Sequence, residues 1–315
     1  MLTMLESRHR EQAVELAQAA YEAERAQVPS LPDLDLRPAV EARLEAMQGV
    51  VLEEGGRLAG YLAFRPVERY FGLDKGLYSP HDGQAVLPPG RDKRLTRLFQ
   101  AVAGAAAPQG YWSYGATVYA HDAQAVETWA LNGFGIRCAD AIRSLREPIN
   151  ARPAPGYRYE EISYEDALEL LPLQNALCAH LTASPCFLPQ QPFTPEAFQA
   201  HLAARRNRFF VLREGVAAAG YLEIAPTGET LASQAPDMRS ICGAFVSEGH
   251  RASGLFDGLL SYVCQTLRHE GYERLGVDCE TLNPTALRYW RKHFDLYTLS
   301  FHRRLDERVW KQRQG

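Results

Sequence analysis

Residues 245–260 combine the end of a strand, a short polar turn and the start of a helix. The segment reads FVSEGHRASGLFDGLL, which is apolar up to Val246 and amphipathic from Gly254 onward. Backbone N–H groups at a helix N-terminus have no helical partner, and the helix dipole favours negative charge there. A glycine also lets a phosphate approach the main chain closely. The turn at 251–254 therefore predicts a phosphate site, although an ordinary helix start would also explain the same pattern.

A second segment follows the next predicted strand and opens another helix. Asn283 is suited to cap its first turn, and Ala286 and Trp290 follow at +3 and +7. The pattern is N-x-x-A-x-x-x-(Y/W), and it comes in the same order after the first segment. Two linked patterns of this kind are more specific than either of them alone.

Together these segments resemble the GNAT superfamily of acyl-CoA-dependent N-acyltransferases. The resemblance implies transfer of an acetyl group from acetyl-CoA to a small-molecule primary amine by direct attack, with no metal ion. It implies that the sheet splays apart between strands 240–246 and 275–279, with the pantetheine arm in the gap. The residues implied to contact the cofactor are Phe245, Val246, Ser247, Arg251, Ala252, Ser253, Gly254, Leu255, Phe256, Asn283, Ala286 and Trp290.

Two positions depart from the pattern of that superfamily. Phe256 stands where a second small residue is usual after the pyrophosphate loop. Trp290 stands where many relatives have a tyrosine that protonates the departing thiolate, and an indole N–H cannot act as an acid near neutral pH. Tyr289 is adjacent, but one helical step turns it by about 100°. We therefore expect Tyr289 to be a weak candidate for the general acid.

The general base is predicted to be a carboxylate outside the strand at 240–246, which contains none. Glu280 at the end of the following strand and Glu223 on the hairpin strand are the candidates. Solvated surface carboxylates and a proton path through water remain as alternatives for this step.

The chain contains an internal repeat. Shifted by 160 positions, residues 51–66 match 211–226 at nine positions, and at a shift of 161 residues 110–129 match 271–290. Residues 146–158 are rich in proline and lack any helical or strand period, which is typical of a linker. The sequence therefore predicts two domains, 1–149 and 150–315.

Each domain is predicted to be a mixed α/β fold with a central, mostly antiparallel sheet flanked by helices. In the second copy we expect helices at 165–181, 254–269 and 284–293, a further helix opened by Thr194-Pro195-Glu196, and strands at 208–212, 218–224, 240–246, 275–279 and 296–303. Thr194 followed by Pro195 is a typical helix start.

The first copy is predicted to be degenerate. At a shift of 160, Arg91–Arg94 replaces Arg251–Gly254, so that Arg94 stands in place of the glycine. Asp92 adds negative charge near the expected phosphates, and Asp122 replaces Asn283. We therefore expect that only 150–315 binds acyl-CoA.

Composition excludes several classes of protein. The net charge is −4 with scattered basic residues, which disfavours a nucleic-acid partner. There is no apolar run long enough for a membrane span, and the cysteines and histidines show no metal spacing. These features predict a cytoplasmic protein with reduced thiols, present as a monomer or a homodimer. Two other functions remain open, a non-catalytic acyl-CoA-binding or regulatory module and a protein or peptide N-acetyltransferase.

Overall fold

The two sequence copies contain helices and strands in the same order, except that two strands of the first copy stand where the second copy has one. The computed structural model describes residues 1–151 and 154–311. The first copy contains β1 (Leu2–Met4), α1 (Ser7–Gln27), α2 (Arg37–Ala46), β2 (Gln48–Glu54), β3 (Arg57–Tyr70), β4 (Asp74–Ser79), β5 (Gln84–Val86), α3 (Arg91–Ala106), β6 (Ser113–Tyr119), α4 (Ala123–Leu131) and β7 (Gly135–Ser144). The second contains β8 (Tyr157–Ile162), α5 (Leu171–Thr182), α6 (Pro195–Arg205), β9 (Arg208–Glu214), β10 (Ala217–Ala225), β11 (Met238–Val246), α7 (Leu255–His269), β12 (Arg274–Glu280), α8 (Pro284–His293) and β13 (Asp295–Arg304), and the short α9 (Arg308–Lys311) follows.

The chain forms two compact units, 1–139 with 296–315 and 140–295. They differ from the predicted halves in their last strands. In the first unit β13 pairs with β6 in antiparallel register, from Thr298 opposite Tyr119 to Arg304 opposite Ser113. In the second unit, the end of β7 lies beside β12, and the Leu145 N–H donates to the Glu273 carbonyl at 2.8 Å. The first unit therefore contains nearly all of β13, the last strand of the second copy, and the second unit contains the end of β7, residues 140–144.

The sheet of the first unit has the order β1-β2-β3-β4-β6-β13, with β5 pairing a second stretch of β3. Its pairs are antiparallel except for β4 with β6. A core of apolar side chains from α3, α4 and the sheet packs on one face, and Phe99, Trp129 and Phe134 form edge-to-face aromatic contacts within it.

The sheet of the second unit has the order β12-β11-β10-β9-β8. Its pairs are antiparallel except for β11 with β12. That parallel ladder runs from Met238 opposite Arg274 to Ile241 opposite Val277. Beyond this last pair β11 continues to Val246 and β12 to Glu280, and the two strands diverge. The expected gap between these strands is therefore present.

Local sequence accounts for most of the helix boundaries in the second unit. Thr194 caps α6 by accepting a hydrogen bond from the Ala197 N–H at 3.2 Å, as its position before Pro195 predicts. The prediction of a helix over 165–181 was wrong in its first turn. Residues 166–170 form a short 3₁₀ segment, and α5 begins only at Leu171, with Pro172 at its start. Proline lacks an N–H and is tolerated in the first turn of a helix but not in its interior.

Helix α7 shows why the chain turns back onto the sheet after β11. Leu255, Leu259, Leu260, Val263 and Leu267 are buried and recur at helical spacing, so that one stripe of α7 packs on the sheet. The predicted fold class, two mixed α/β domains with mostly antiparallel sheets, is confirmed. Within the described residues, the helices lack the combined length and hydropathy needed to cross a bilayer.

Candidate active site at the end of β11

The turn between β11 and α7 is fixed by hydrogen bonds within the chain. The Ser247 N–H and hydroxyl both donate to the Ala219 carbonyl at 2.9 Å, and the Ser247 hydroxyl lies 2.7 Å from His250 Nδ1. The Ser253 hydroxyl donates to the His250 carbonyl at 2.6 Å. These contacts hold the backbone of the turn in place while leaving its later N–H groups available.

The backbone enters the left-handed region twice before α7 begins. Ala252 has φ +58° and Gly254, the N-cap of α7, has φ +82°. Successive residues of alternating handedness turn their N–H groups toward one side and create an anion-binding concavity. In the described structure the N–H groups of Gly254, Phe256 and Asp257 have no protein acceptor. This arrangement fits a phosphate group as the sequence predicted.

Arg251 lies beside this turn without an ion-pair partner among the described residues. Its Nε donates to the Val246 carbonyl at 3.3 Å, and its guanidinium lies 5.4 Å from the centre of the Phe245 ring. The guanidinium is thus oriented by the end of β11 and keeps its charge available for an anionic group.

A cleft of about 590 Å³ opens between this turn, the end of β11 and α8. The residues predicted to contact the cofactor that line it are Phe245, Val246, Arg251, Ala252, Gly254, Phe256, Asn283, Ala286 and Trp290, and the candidate acid Tyr289 lines it too. The three other residues predicted to contact the cofactor do not line the cleft. Leu255 lies on the buried face of α7, and the hydroxyls of Ser247 and Ser253 donate to main-chain carbonyls. Leu177 and His180 of α5 also line the cleft, and no local sequence pattern predicts this for either residue.

The free edge of β11 presents main-chain groups to the gap. The bond from the Ser247 N–H to the Ala219 carbonyl shows that Val246 and Gly220 form a non-hydrogen-bonded pair of the antiparallel ladder. The N–H and carbonyl of Val246 therefore point away from β10. Because hydrogen-bonded and non-hydrogen-bonded pairs alternate along the ladder, the N–H and carbonyl of Ala244 point the same way. An extended amide-containing ligand can pair with this edge as an added strand.

Asn283 is the N-cap of α8. Its Oδ1 accepts from the Ala286 N–H at 3.3 Å, and its side chain is buried. The predicted capping role is therefore present, and the cap places Asn283 in the wall of the cleft.

The aromatic residues of α8 close one side of the cleft. Trp290 is buried and packs on Phe256 and Phe294, with ring centres 6.1 and 5.5 Å apart. Tyr289 also lines the cleft, and its hydroxyl is buried without a hydrogen-bond partner. Burial, together with the nearby Asp257 carboxylate, raises the pKa of Tyr289 far above its usual range. The hydroxyl is therefore neutral, and it can both donate and accept a hydrogen bond.

The two predicted carboxylates lie in different environments. Glu223 is buried, and its Oε1 accepts from Asn207 Nδ2 at 2.7 Å. A Cβ placed on Gly243 would lie 2.6 Å from Glu223 Oε2, so Gly243 makes room for this carboxylate. Glu280 is half-buried at the end of β12. Neither residue lines the 590 Å³ cleft itself.

Asp278 is a further carboxylate that sequence reasoning missed. It is the first residue of β12 beyond the last pair with β11, at the level of the bulge residue Cys242. Solvent reaches its side chain, but the protein around it removes part of its hydration, and the charges of Glu229 and Glu280 add repulsion. These effects raise the pKa of Asp278 to about 6.

The pairing register places these carboxylates on one face of the sheet. Ala225 pairs with Ser240, and Ser240 pairs with Gly276. Since side chains alternate between faces, Glu223 (two residues before Ala225) and Asp278 (two residues after Gly276) share that face. The charges of both also contribute, after desolvation, to a raised pKa of the Cys242 thiol. An acidic region therefore lies where β11 and β12 diverge.

The equivalent region of the first unit is closed. Gly60 pairs with Val86 as Gly220 pairs with Val246, so Val86 is the counterpart of Val246. From Val86 only four residues, 87–90, precede α3, whereas eight, 247–254, precede α7. The predicted replacement of Gly254 by Arg94 was wrong in register, because Gly90, with φ +82°, is the N-cap of α3 and the turn is four residues shorter.

The first unit also neutralises its own counterpart of Arg251. Arg91 Nε donates to the Val86 carbonyl at 3.2 Å, as Arg251 Nε does to Val246. In addition, Arg91 and Asp122 form an ion pair, with 3.1 Å between Nη1 and Oδ2. Both residues line a cavity of only about 140 Å³.

Comparison with known proteins agrees with this geometry. Residues 176–295 match the sequence profile of the Acetyltransferase (GNAT) family. No curated protein matches the chain. A GCN5-related N-acetyltransferase from Sphaerobacter thermophilus superposes with a TM-score of 0.59 at 15% identity, covering 96% of this chain and 95% of its own.

Two further solved structures share the fold. A tandem GNAT protein from the clavulanic acid biosynthesis pathway, solved without AcCoA, gives a TM-score of 0.52 at 18% identity, covering 96% of this chain and 98% of its own. The GCN5-related glucosamine N-acetyltransferase region of a fungal GH3 β-N-acetylglucosaminidase gives 0.56 at 13% identity, covering 96% of this chain and 38% of its own. Residues 176–295 are therefore similar in sequence to the acetyltransferase (GNAT) family, and the chain has the fold of a tandem GNAT protein.

Proposed function

We propose that this protein is an acetyl-CoA-dependent N-acetyltransferase that acetylates a small-molecule primary amine, with the active site in the second copy, 150–315. The observation that carries the proposal is the cleft where β11 and β12 diverge, which opens directly onto the N-terminus of α7. The family match over residues 176–295 supports acyl transfer as the reaction class.

The turn before α7 supports binding of the coenzyme A diphosphate. The unpaired N–H groups of Gly254, Phe256 and Asp257 and the unpaired Arg251 guanidinium offer donors and positive charge at one place. The pantetheine arm fits the gap, where Val246 and Ala244 present amide groups for strand-like pairing. When bound, acetyl-CoA supplies the activated thioester carbonyl.

The Val246 N–H is proposed to stabilise the developing oxyanion, because it points into the gap and needs no reorganisation. The acidic region beside it is proposed to orient the amine and to accept its proton, with Asp278 added to the earlier candidates Glu223 and Glu280. A carboxylate with a pKa of about 6 is mostly ionised at neutral pH and remains an effective base.

Tyr289 lines the cleft and remains the weak candidate for protonating the departing thiolate. Burial and the nearby Asp257 carboxylate raise its pKa far above the usual range, which makes it a poorer acid than a free tyrosine. Trp290 is proposed to form part of the apolar wall against which the acyl-bearing end of the cofactor lies.

The first copy, 1–149, is proposed not to bind acyl-CoA. Its turn before α3 is four residues shorter than the turn before α7, and Arg91 is already paired with Asp122. The absence of disulfides among the cysteines supports a reducing, cytoplasmic compartment. The monomeric or dimeric state stays a prediction.

Calorimetry with coenzyme A and thiol release with a panel of amines test the proposal. We expect one coenzyme A per chain, and amine-dependent thiol release with at least one small amine, glucosamine being included because of the fungal neighbour. Gly254→Val should abolish coenzyme A binding. The backbone of Gly254 has φ +82°, which a β-branched residue disfavours, so the substitution should distort the array of N–H groups even though open space surrounds the position.

The outcomes separate the three functions. Coenzyme A binding without thiol release for any amine or peptide would favour a regulatory module. Thiol release with peptide N-termini but not with small amines would favour a peptide acetyltransferase. Two equivalent coenzyme A sites, or unchanged affinity in Gly254→Val, would contradict the assignment of the site.

A further inference from the structure

Helix α5 crosses the gap between the two diverging strands of the second unit. Near the start of the helix, the Tyr221 hydroxyl of β10 donates a hydrogen bond to Gln174 Oε1. Just after its end, burial and then the charge of Glu280, at the end of β12, raise the pKa of the Cys186 thiol. The helix therefore runs from the β10 side of the sheet to the β12 side, over the gap.

His180 lies in the last turn of α5. It follows Gln174 by six residues, which is about 9 Å along the helix axis at about 1.5 Å per residue. Neighbouring strands are about 4.8 Å apart, so this distance corresponds to about two strand spacings. In agreement with this position, His180 and Leu177 line the 590 Å³ cleft together with Val246. The imidazole therefore borders the gap that is proposed to hold the pantetheine arm.

The carboxylate in the cleft wall is already engaged. Asp257 lines the cleft, but its Oδ2 accepts from Lys292 Nζ at 3.0 Å, and its Oδ1 lies 3.0 Å from His293 Nε2. Burial raises the pKa of Asp257, but these contacts outweigh it and lower the pKa overall. A carboxylate with a lowered pKa is a weaker base.

Of the two histidines that line the described cleft, only one has an available ring nitrogen. In His250, Nδ1 lies 2.7 Å from the Ser247 hydroxyl, and Nε2 lies 3.1 Å from Glu214 Oε2. His180 is half-buried, and among the described residues its ring nitrogens have no hydrogen-bond or ion-pair partner, while neither nitrogen is closed off from solvent. Histidine is also the side chain that most often acts as a general base.

The three carboxylates considered above for the base have a less direct position. Glu223, Asp278 and Glu280 do not line the 590 Å³ cleft. A general base must lie within about 3 Å of the proton that it accepts, or one water molecule away. Direct transfer from an amine in the cleft therefore favours a group in the cleft wall.

We infer that His180 is the general base that takes the proton of the acceptor amine. As the amine nitrogen attacks the thioester carbonyl, the N–C bond forms and a proton passes from this nitrogen to the imidazole. The C–S bond breaks, and its electron pair leaves on the coenzyme A sulfur, which takes a proton from solvent. The inference rests on the proposed function, and the acidic region then orients the amine and receives the proton from His180 through solvent.

His180→Gln tests this role, because glutamine keeps a polar side chain but cannot accept the proton. We expect kcat with the best amine acceptor to fall by about 10²–10⁴-fold. The affinity for coenzyme A, measured by calorimetry, should not change. In His180→Ala, added imidazole should restore turnover in proportion to its concentration, because the vacated space opens into the cleft. A purely structural role of His180 would not give this rescue.

His201→Gln is the matched control, because His201 of α6 lies within reach of the charge of Glu223 but does not line the cleft. It should keep the kcat of the parent protein. An unchanged kcat in His180→Gln, or no rescue of His180→Ala by imidazole, would overturn this inference and leave the proposed function standing. A loss in Asp278→Asn without a loss in His180→Gln would assign the proton to Asp278. No thiol release by the parent protein with any amine would overturn the proposed function and this inference together.

Discussion

At the scale of single residues, the acidic groups beside the gap carry most of the catalytic hypothesis. Glu223 and Glu280 could be selected from the sequence because of their positions next to predicted strands. Asp278 has a local signal too, since it interrupts the apolar strand LGVDCE. Its raised pKa, however, depends on Glu229, Glu280 and the surrounding cleft walls, which no local pattern reveals.

We expect Asp278→Asn to lower kcat/KM by about 10²–10⁴-fold if Asp278 is the base. In the parent protein kcat/KM should fall as the pH drops through about 6, because the carboxylate becomes protonated. That acidic limb should disappear in the variant. Glu280→Gln should keep the limb but move it to lower pH, because the charge of Glu280 is one cause of the raised pKa of Asp278. An unchanged limb in Asp278→Asn would exclude Asp278.

The same substitution has an expected effect on stability. A carboxyl with a pKa raised in the folded state stabilises the protein while it is protonated, and this contribution is lost as the pH rises through about 6. Asp278→Asn should therefore raise the melting temperature at neutral pH, and the difference should shrink below the ordinary Asp pKa of about 3.9. Thermal unfolding at both pH values measures this, and a variant that is less stable at neutral pH would contradict the environment assigned to Asp278.

Ala252→Gly should stabilise the protein by up to about 1 kcal/mol. An alanine in the left-handed region costs about 1–2 kcal/mol, and glycine removes this strain but loses more conformational entropy on folding. Affinity for coenzyme A should remain. Ala203→Gly on an exposed face of α6 is the matched control with the opposite sign, a loss of about 1 kcal/mol. Denaturant unfolding distinguishes the two, and a loss of stability in both would mean that Ala252 is not strained.

At the scale of elements, the start of each helix decides whether a copy can bind an anion. Helices α3 and α7 both begin after a left-handed glycine, yet only the turn before α7 is eight residues long. The turn of the first copy is four residues shorter. Aligning the two copies at a fixed shift of 160 residues assumes turns of equal length, so it cannot reveal this difference.

Asn283 provides a test of capping against charge. Asn283→Ala should destabilise the protein by about 1 kcal/mol through loss of the cap of α8. Asn283→Asp should keep most of the stability, since Asp caps as well as Asn, but should weaken coenzyme A binding at least about tenfold by placing negative charge in the cleft. Melting temperature and calorimetry give the two readouts, and equal affinity in both variants would argue against a charge effect.

At the scale of the whole molecule, the last strand of each sequence copy belongs to the other compact unit. Strand β13 pairs with β6, and residues 140–144 lie in the second unit beside β12. The boundary of the repeat in the sequence and the boundary between compact units are therefore different.

We expect a fragment of residues 140–295 to fold by itself and to bind coenzyme A, because it contains every strand of the second unit. The fragment 150–315, cut at the repeat, lacks the strand beside β12 and carries β13 without β6. It should be less stable or aggregate, since unpaired strand edges are exposed. Circular dichroism and size-exclusion chromatography of both fragments test this, and a stable 150–315 fragment would contradict it.

The sequence by itself determined the duplication, the order of elements from α6 to β13, the cap of α8 and the position of the turn before α7. These features depend on local patterns of apolar, capping and glycine residues, which act over a few residues along the chain. The tertiary structure decided the acidity of Asp278, the burial of Tyr289, the length difference of the two turns and the exchange of β7 and β13. Each of these depends on which distant segments meet, because charge, hydration and strand pairing are set by spatial neighbours that the order of residues leaves undetermined.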